Sequence, residues 1–143
     1  MLFMKIARLI AQESKCCKYK VGAVIVRDGK IIGHGCNGTL TGMVNCNEYA
    51  ASEGWLKDGE LNSVWRANHR YWSARNELHA EMNAIINAGV DVSGCDLYVT
   101  MVPCEKCAIM IAGFKFKKVY YSDLHHTHGL KFLEKAGVIC EQV

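Results

Sequence analysis

The chain has 143 residues, half of them apolar and only one of them proline, with a formal charge of +3. That length gives one domain, spanning 1–143, with room for a core, and the composition excludes a disordered chain. No apolar run is long enough to span a bilayer, so no membrane partner is expected, and the charge is too small and dispersed for duplex DNA, though it suits a small anionic substrate.

Leu2, Ile6, Leu9 and Ile10 recur at helical spacing, so the chain opens on an amphipathic helix. Lys5 and Arg8 interrupt its apolar stretch and no small-residue cleavage site follows, which argues against a secretory signal. A cytoplasmic location follows, and the eight cysteines then read as metal ligands or buried thiols rather than as disulfides. Residues 20–35 read as a hairpin turned at Asp28-Gly29, with Asn37-Gly38 a further turn. Residues 39 to about 76 form an irregular insertion, with a short helix expected around 47–56; a loop this long calls for an extra fastening. The tryptophans and tyrosine at Trp55, Trp65, Tyr71 and Trp72 read as packing within it. A helix over 79–88 stops at Gly89, a strand covers 96–101, and Pro103 opens a helix over 104–113. Residues 118–122 are a strand, 130–136 a helix and 138–140 a last strand. Strands alternating with helices give a layered α/β sheet.

The chemistry-bearing pattern is His79-Ala80-Glu81 followed by Pro103-Cys104-Glu105-Lys106-Cys107. Two thiolates three residues apart at a helix start can share one ion, and the helix end favours the thiolate. One imidazole makes a third ligand, and a three-ligand zinc keeps its fourth position open for water, the catalytic arrangement. Zinc brings the pKa of such a water to about 7. Glu81 can then take the water proton and pass it to a ring nitrogen and a leaving amine. H-x-E…P-C-x-x-C is the established signature of zinc deaminases. A purely structural zinc module has no use for a carboxylate at this point.

The sequence resembles the cytidine and deoxycytidylate deaminase superfamily, and within it the deoxycytidylate deaminases of the large tailed-phage type. The resemblance spans nearly the whole chain. It is carried by 12–17 (QESKCC), 20–26 (KVGAVIV), Asn37-Gly38, 45–56 (NCNEYAASEGWL), 79–85 (HAEMNAI), 97–108 (LYVTMVPCEKCA) and 133–138 (LEKAGV). It implies a three-layer α/β/α fold with a five-stranded mixed sheet. It implies a catalytic zinc on His79, Cys104 and Cys107 with Glu81 as proton shuttle, and the deamination of deoxycytidylate (dCMP) to deoxyuridylate (dUMP) with release of ammonia.

Asn37 matches a family asparagine that contacts the sugar or base, and Ala80 lies beside it in the substrate set. Lys18 matches a basic position near the substrate phosphate. His125 stands where many relatives carry a phosphate-side tyrosine; the alternative is that His125, His126 and His128 form a polar loop. Relatives of the phage type carry a second zinc, which here implies Cys16, Cys46, His69 and Glu77 as ligands. Cys17 is an alternative fourth ligand, and buried thiols with a satisfied histidine the alternative to any metal. The family also implies a hexamer, activated by dCTP with magnesium and inhibited by dTTP, and the host cytoplasm as location if the chain is phage-encoded. The Gly35-Cys36-Asn37-Gly38 turn matches the regulatory segment, with Cys36 where tyrosine is usual. The competing reading is a deaminase of transfer RNA or single-stranded DNA. That enzyme needs a basic aromatic groove, whereas Glu48, Glu53, Asp58 and Glu60 make the insertion acidic, so no nucleic-acid partner is expected.

Overall fold

The computed structural model describes residues 1–143, and its centre is a five-stranded sheet. The strands are β1 (Gly22–Arg27), β2 (Lys30–Cys36), β5 (Asp96–Met101), β6 (Lys118–Asp123) and β7 (Ile139–Gln142), in the order β2-β1-β5-β6-β7. β1 is antiparallel to both β2 and β5, while β5, β6 and β7 run parallel, so the sheet is mixed. The β1–β2 hairpin turns at Asp28 and Gly29, both with positive φ, as the dipeptide predicts for a tight hairpin turn.

Side chains alternate across β1. Ala23 and Ile25 face one side of the sheet and Val24 and Val26 the other, and each set belongs to a different core. α1 (Leu2–Ala11) covers the Val24 side with Met4 and Ala7. The opposite side carries the main core, where α4 (Ala80–Ala88), α5 (Glu105–Gly113) and α6 (His128–Lys135) set Ala84, Ile111 and Leu133 against Leu97, Val99 and Val119. This is the three-layer α/β/α arrangement.

The insertion differs from the expectation of an irregular segment. α2 (Cys46–Ser52) ends earlier than predicted, because Gly54 takes a positive φ and the Trp55 N–H returns to the Ala50 carbonyl. A small hairpin follows, β3 (Leu56–Lys57) with β4 (Glu60–Leu61), turned at Asp58 and Gly59. After a short 3-10 turn comes α3 (Arg66–Asn76), which the sequence reading left as loop. Only His69 and Trp72 of α3 are buried, too few to print an apolar stripe. The segment also has a core of its own: Cys16, Cys46, Ala50, Trp55 and Trp72 cluster, with the Tyr49 ring stacked on Trp72 at 4.7 Å. No helix is long and apolar enough to cross a membrane.

Candidate metal centre and active-site cavity

Both halves of the H-x-E…P-C-x-x-C pattern sit at helix beginnings. His79 is the residue before α4 and Cys104 the residue before α5, both in extended backbone. The sequence reading placed each inside its helix; the extended φ/ψ is what turns the side chain off the helix axis, as at other N-terminal caps. Two connections hold the pieces together. Gly38 and Leu78 exchange N–H···O bonds of 3.0 and 2.8 Å, fixing the approach to His79. Gly129, near the start of α6, lies so close under the Pro103 carbonyl that a Cβ there would meet that oxygen at 2.1 Å.

His79 Nδ1 lies 3.2 Å from Cys107 Sγ and 3.6 Å from Cys104 Sγ. Nitrogen and sulfur ligands of one tetrahedral zinc stand about 3.6 Å apart, given bond lengths near 2.0–2.1 and 2.3 Å. The donor set therefore fits zinc, with one nitrogen, two sulfurs and no fourth protein atom. The Cys104 thiol is held down at about 3, chiefly by its hydrogen bond to Cys107, with His79 assisting; Cys107 is pushed up by that same bond and by burial. Hydrogen bonding to Cys104 raises the His79 imidazole above its usual range.

Glu81 lies in the first turn of α4 and is 4% exposed. Burial pushes its carboxyl up, while its own backbone N–H and the nearby His79 pull it down. It lines a cavity of 160 Å³ together with His79, Ala80, Cys104, Asn37 and Tyr19. That is smaller than the ~300 Å³ at which ordinary ligand pockets begin. Ala80, fully buried, opens α4, where a backbone N–H has no partner within the helix.

Asn37 reaches the cavity wall, but its side chain is engaged elsewhere. Its Oδ1 accepts from Val21 N–H at 2.9 Å and its Nδ2 donates to the Tyr19 carbonyl at 2.8 Å, so it braces the 19–21 segment. Gly35 packs under α4, where a Cβ would meet Ala84 N at 2.6 Å; Gly38 has open space around it. Lys18 does not line the cavity. It lines an open cleft of 810 Å³ that shares Cys16 with the cavity, its Nζ 4.9 Å from the Tyr19 ring centroid. His125 is exposed, its ring 6.0 Å from Tyr19, whereas His126 lines the cavity with a buried Nδ1 that has no hydrogen-bond partner. The sequence reading passed over His126; three histidines in four positions marked the loop but not which one turns inward.

A second cluster borders the same cavity. Ligand atoms of Cys16, Cys46, His69 and Glu77 all lie within 4.8 Å of one another. His69 Nε2 is 3.3 Å from Cys46 Sγ and 3.7 Å from Cys16 Sγ. Both Glu77 carboxylate oxygens are buried without a partner, an arrangement that is strongly unfavourable unless a cation completes it. Backbone N–H groups of Lys18 and Tyr19 donate to Cys16 Sγ at 3.5 and 3.4 Å. The Cys16 thiol is held at about 4, first by Cys46, then by His69 and these amides. The donor set is complete without Cys17.

The family model describing the cytidine and deoxycytidylate deaminase zinc-binding region matches residues 1–123. The deoxycytidylate deaminases of phages T2 and T4 are each 40% identical to the chain over 147 residues, covering 85% of it and 78% and 76% of themselves. The dCMP deaminase of cyanophage S-TIM5, solved in complex with dCMP and dUMP, superposes with a TM-score of 0.77 at 35% identity. That match covers 99% of this chain and 94% of that one.

Proposed function

The chain belongs to the cytidine and deoxycytidylate deaminase family, and on that premise we propose that it hydrolyses dCMP to dUMP and ammonia. The observation that carries this reading is a buried carboxylate, Glu81, sharing one small cavity with His79 and Cys104, which together with Cys107 make the zinc-fitting donor set. Zinc bound there supplies Lewis acidity that makes hydroxide available near neutral pH.

Every other step belongs to the chain's own residues. Glu81 accepts one proton of the attacking water and delivers it to N3 of the cytosine; it then takes the remaining proton from the hydroxyl now on carbon four and passes it to the amine, so that a carbonyl forms as the carbon–nitrogen bond breaks. The water oxygen stays on that carbon and the nitrogen leaves as ammonia. A carboxyl raised by burial holds its proton closer to neutral pH than an exposed one, which suits this two-way traffic. The Ala80 N–H, at a helix N-terminus, is placed to orient the base. Asn37 holds the cavity wall, and His126 offers a polar contact at its rim. The phosphate then lies outside, toward Lys18 and His125.

Cys16, Cys46, His69 and Glu77 hold the second, structural zinc in this reading; the orphaned carboxylate of Glu77 supports it. Assembly into a hexamer and control by dCTP with magnesium and by dTTP belong to the same proposal and rest on family likeness, with Cys36 as the departure.

Ammonia release from dCMP, cytidine, dCTP and a short single-stranded DNA tests the assignment. Release from dCMP, with dUMP formed in equal amount, is the expected result. Release from the strand alone would replace this reading with that of a nucleic-acid deaminase.

A further inference from the structure

Cys17 is left over by the second cluster and yet touches it. Its Sγ is 3.6 Å from Cys46 Sγ, and its own N–H donates to that sulfur at 3.4 Å. The two thiols differ in access. Cys46 is 2% exposed, whereas Cys17 is half-buried and lines the open 810 Å³ cleft. That cleft is walled by Lys15, Lys18, Lys20 and Arg66, none of which forms an ion pair. The open cleft leaves a path to Cys17 for small solutes. Cys17 therefore stands as a solvent-reachable sulfur beside a ligating one.

We propose that Cys17 is an oxidation site through which a peroxide disengages the second metal, an inference that rests on the second-zinc reading above. The Cys17 thiol gives its proton to solvent, its thiolate attacks one peroxide oxygen, the O–O bond breaks, and the departing hydroxide takes a proton from solvent and leaves as water. Cys17 is then a sulfenic acid. The Cys46 thiolate attacks that sulfur, the S–O bond breaks, and the hydroxyl leaves as a second water once protonated by solvent. Two thiol sulfurs have lost two electrons and one peroxide has gained them. The sulfurs need to approach by about 1.6 Å to reach the bonded distance. Once in a disulfide, Cys46 no longer donates a thiolate pair, and three donors remain where four stood.

The consequence is local. The fastening between the 14–20 loop, α2 and α3 is undone, while His79, Cys104 and Cys107 keep their ion. The experiment treats the purified, zinc-loaded chain with hydrogen peroxide and follows zinc release with a chromogenic chelator, together with peptide masses under non-reducing conditions. Untreated protein is expected to hold two zincs. Peroxide is expected to release one of them, in step with a Cys17–Cys46 crosslinked peptide. Cys17→Ser should slow that release at least about tenfold, because the unligated thiol 3.6 Å from Cys46 is then gone; Cys36→Ser should release at the unmodified rate. Release at the unmodified rate from Cys17→Ser, or a crosslink of Cys46 to another cysteine, would overturn the inference. A single zinc in untreated protein would instead overturn the second-metal reading, and the peptide masses would still decide whether the two sulfurs join.

Discussion

Glu81 and His126 are two polar side chains on one small cavity with different tasks. On the proposed mechanism Glu81 is the proton carrier, so Glu81→Gln should lower turnover by about 10²–10⁴-fold, the usual worth of a positioned acid–base group, and leave the zinc content unchanged. Parallel metal analysis and dCMP turnover check this, and substantial activity in the variant would remove Glu81 from the proton path. His126 carries an unpartnered buried nitrogen at the rim. If it meets the substrate only there, His126→Ala should raise KM for dCMP by about tenfold, the worth of one polar contact, and leave kcat nearly as it was. Initial rates over a range of dCMP concentrations separate the two constants.

The metal triple was readable in the sequence because its spacing is local and its residue types are few. The choice between His125 and His126 was not. Adjacent residues of a loop point in different directions, and no periodicity says which turns inward. The bracing role of Asn37 was hidden for a related reason. Its partners at Tyr19 and Val21 lie 18 and 16 residues away, and the contact exists only once β2 has folded back on β1.

The elements carry these residues to one place by close backbone approaches. α6 presses Gly129 against the Pro103 carbonyl, and this contact sets the loop from which Cys104 leaves. A methyl group there has no room, so Gly129→Ala should destabilise the fold by about 1–3 kcal/mol, as overpacked interiors do. Denaturant unfolding measures that loss, and a wild-type midpoint would show that the approach is not tight. The sheet and its flanking helices were legible because period-2 strands and period-3.6 helices alternate cleanly along 79–140. α3 escaped because its outward positions are polar and its burial rests on His69 and Trp72 alone. The β3–β4 hairpin did carry its signal, Asp58-Gly59, but strands of two residues are too short for alternation to register. Of the four aromatic residues that the sequence assigns to packing in the insertion, Trp55 and Trp72 join its small core, while Trp65 and Tyr71 are exposed.

Across the whole molecule, the charge is less dispersed than the sequence suggests. The open cleft beside the cavity gathers Lys15, Lys18, Lys20 and Arg66 against one carboxylate, Glu60, which equals the net charge of the entire chain. An anionic solute entering that cleft therefore meets a positive field. In the proposed reading the field draws in the phosphate, and His79, Cys104, Cys107 and Glu81 act on the ring. The measurement that tests this account most directly is turnover of dCMP in water enriched in oxygen-18. Every dUMP formed should carry one heavy oxygen at carbon four, with one ammonia released per dUMP. Unlabelled dUMP, or no dUMP from protein with its zinc in place, would contradict it.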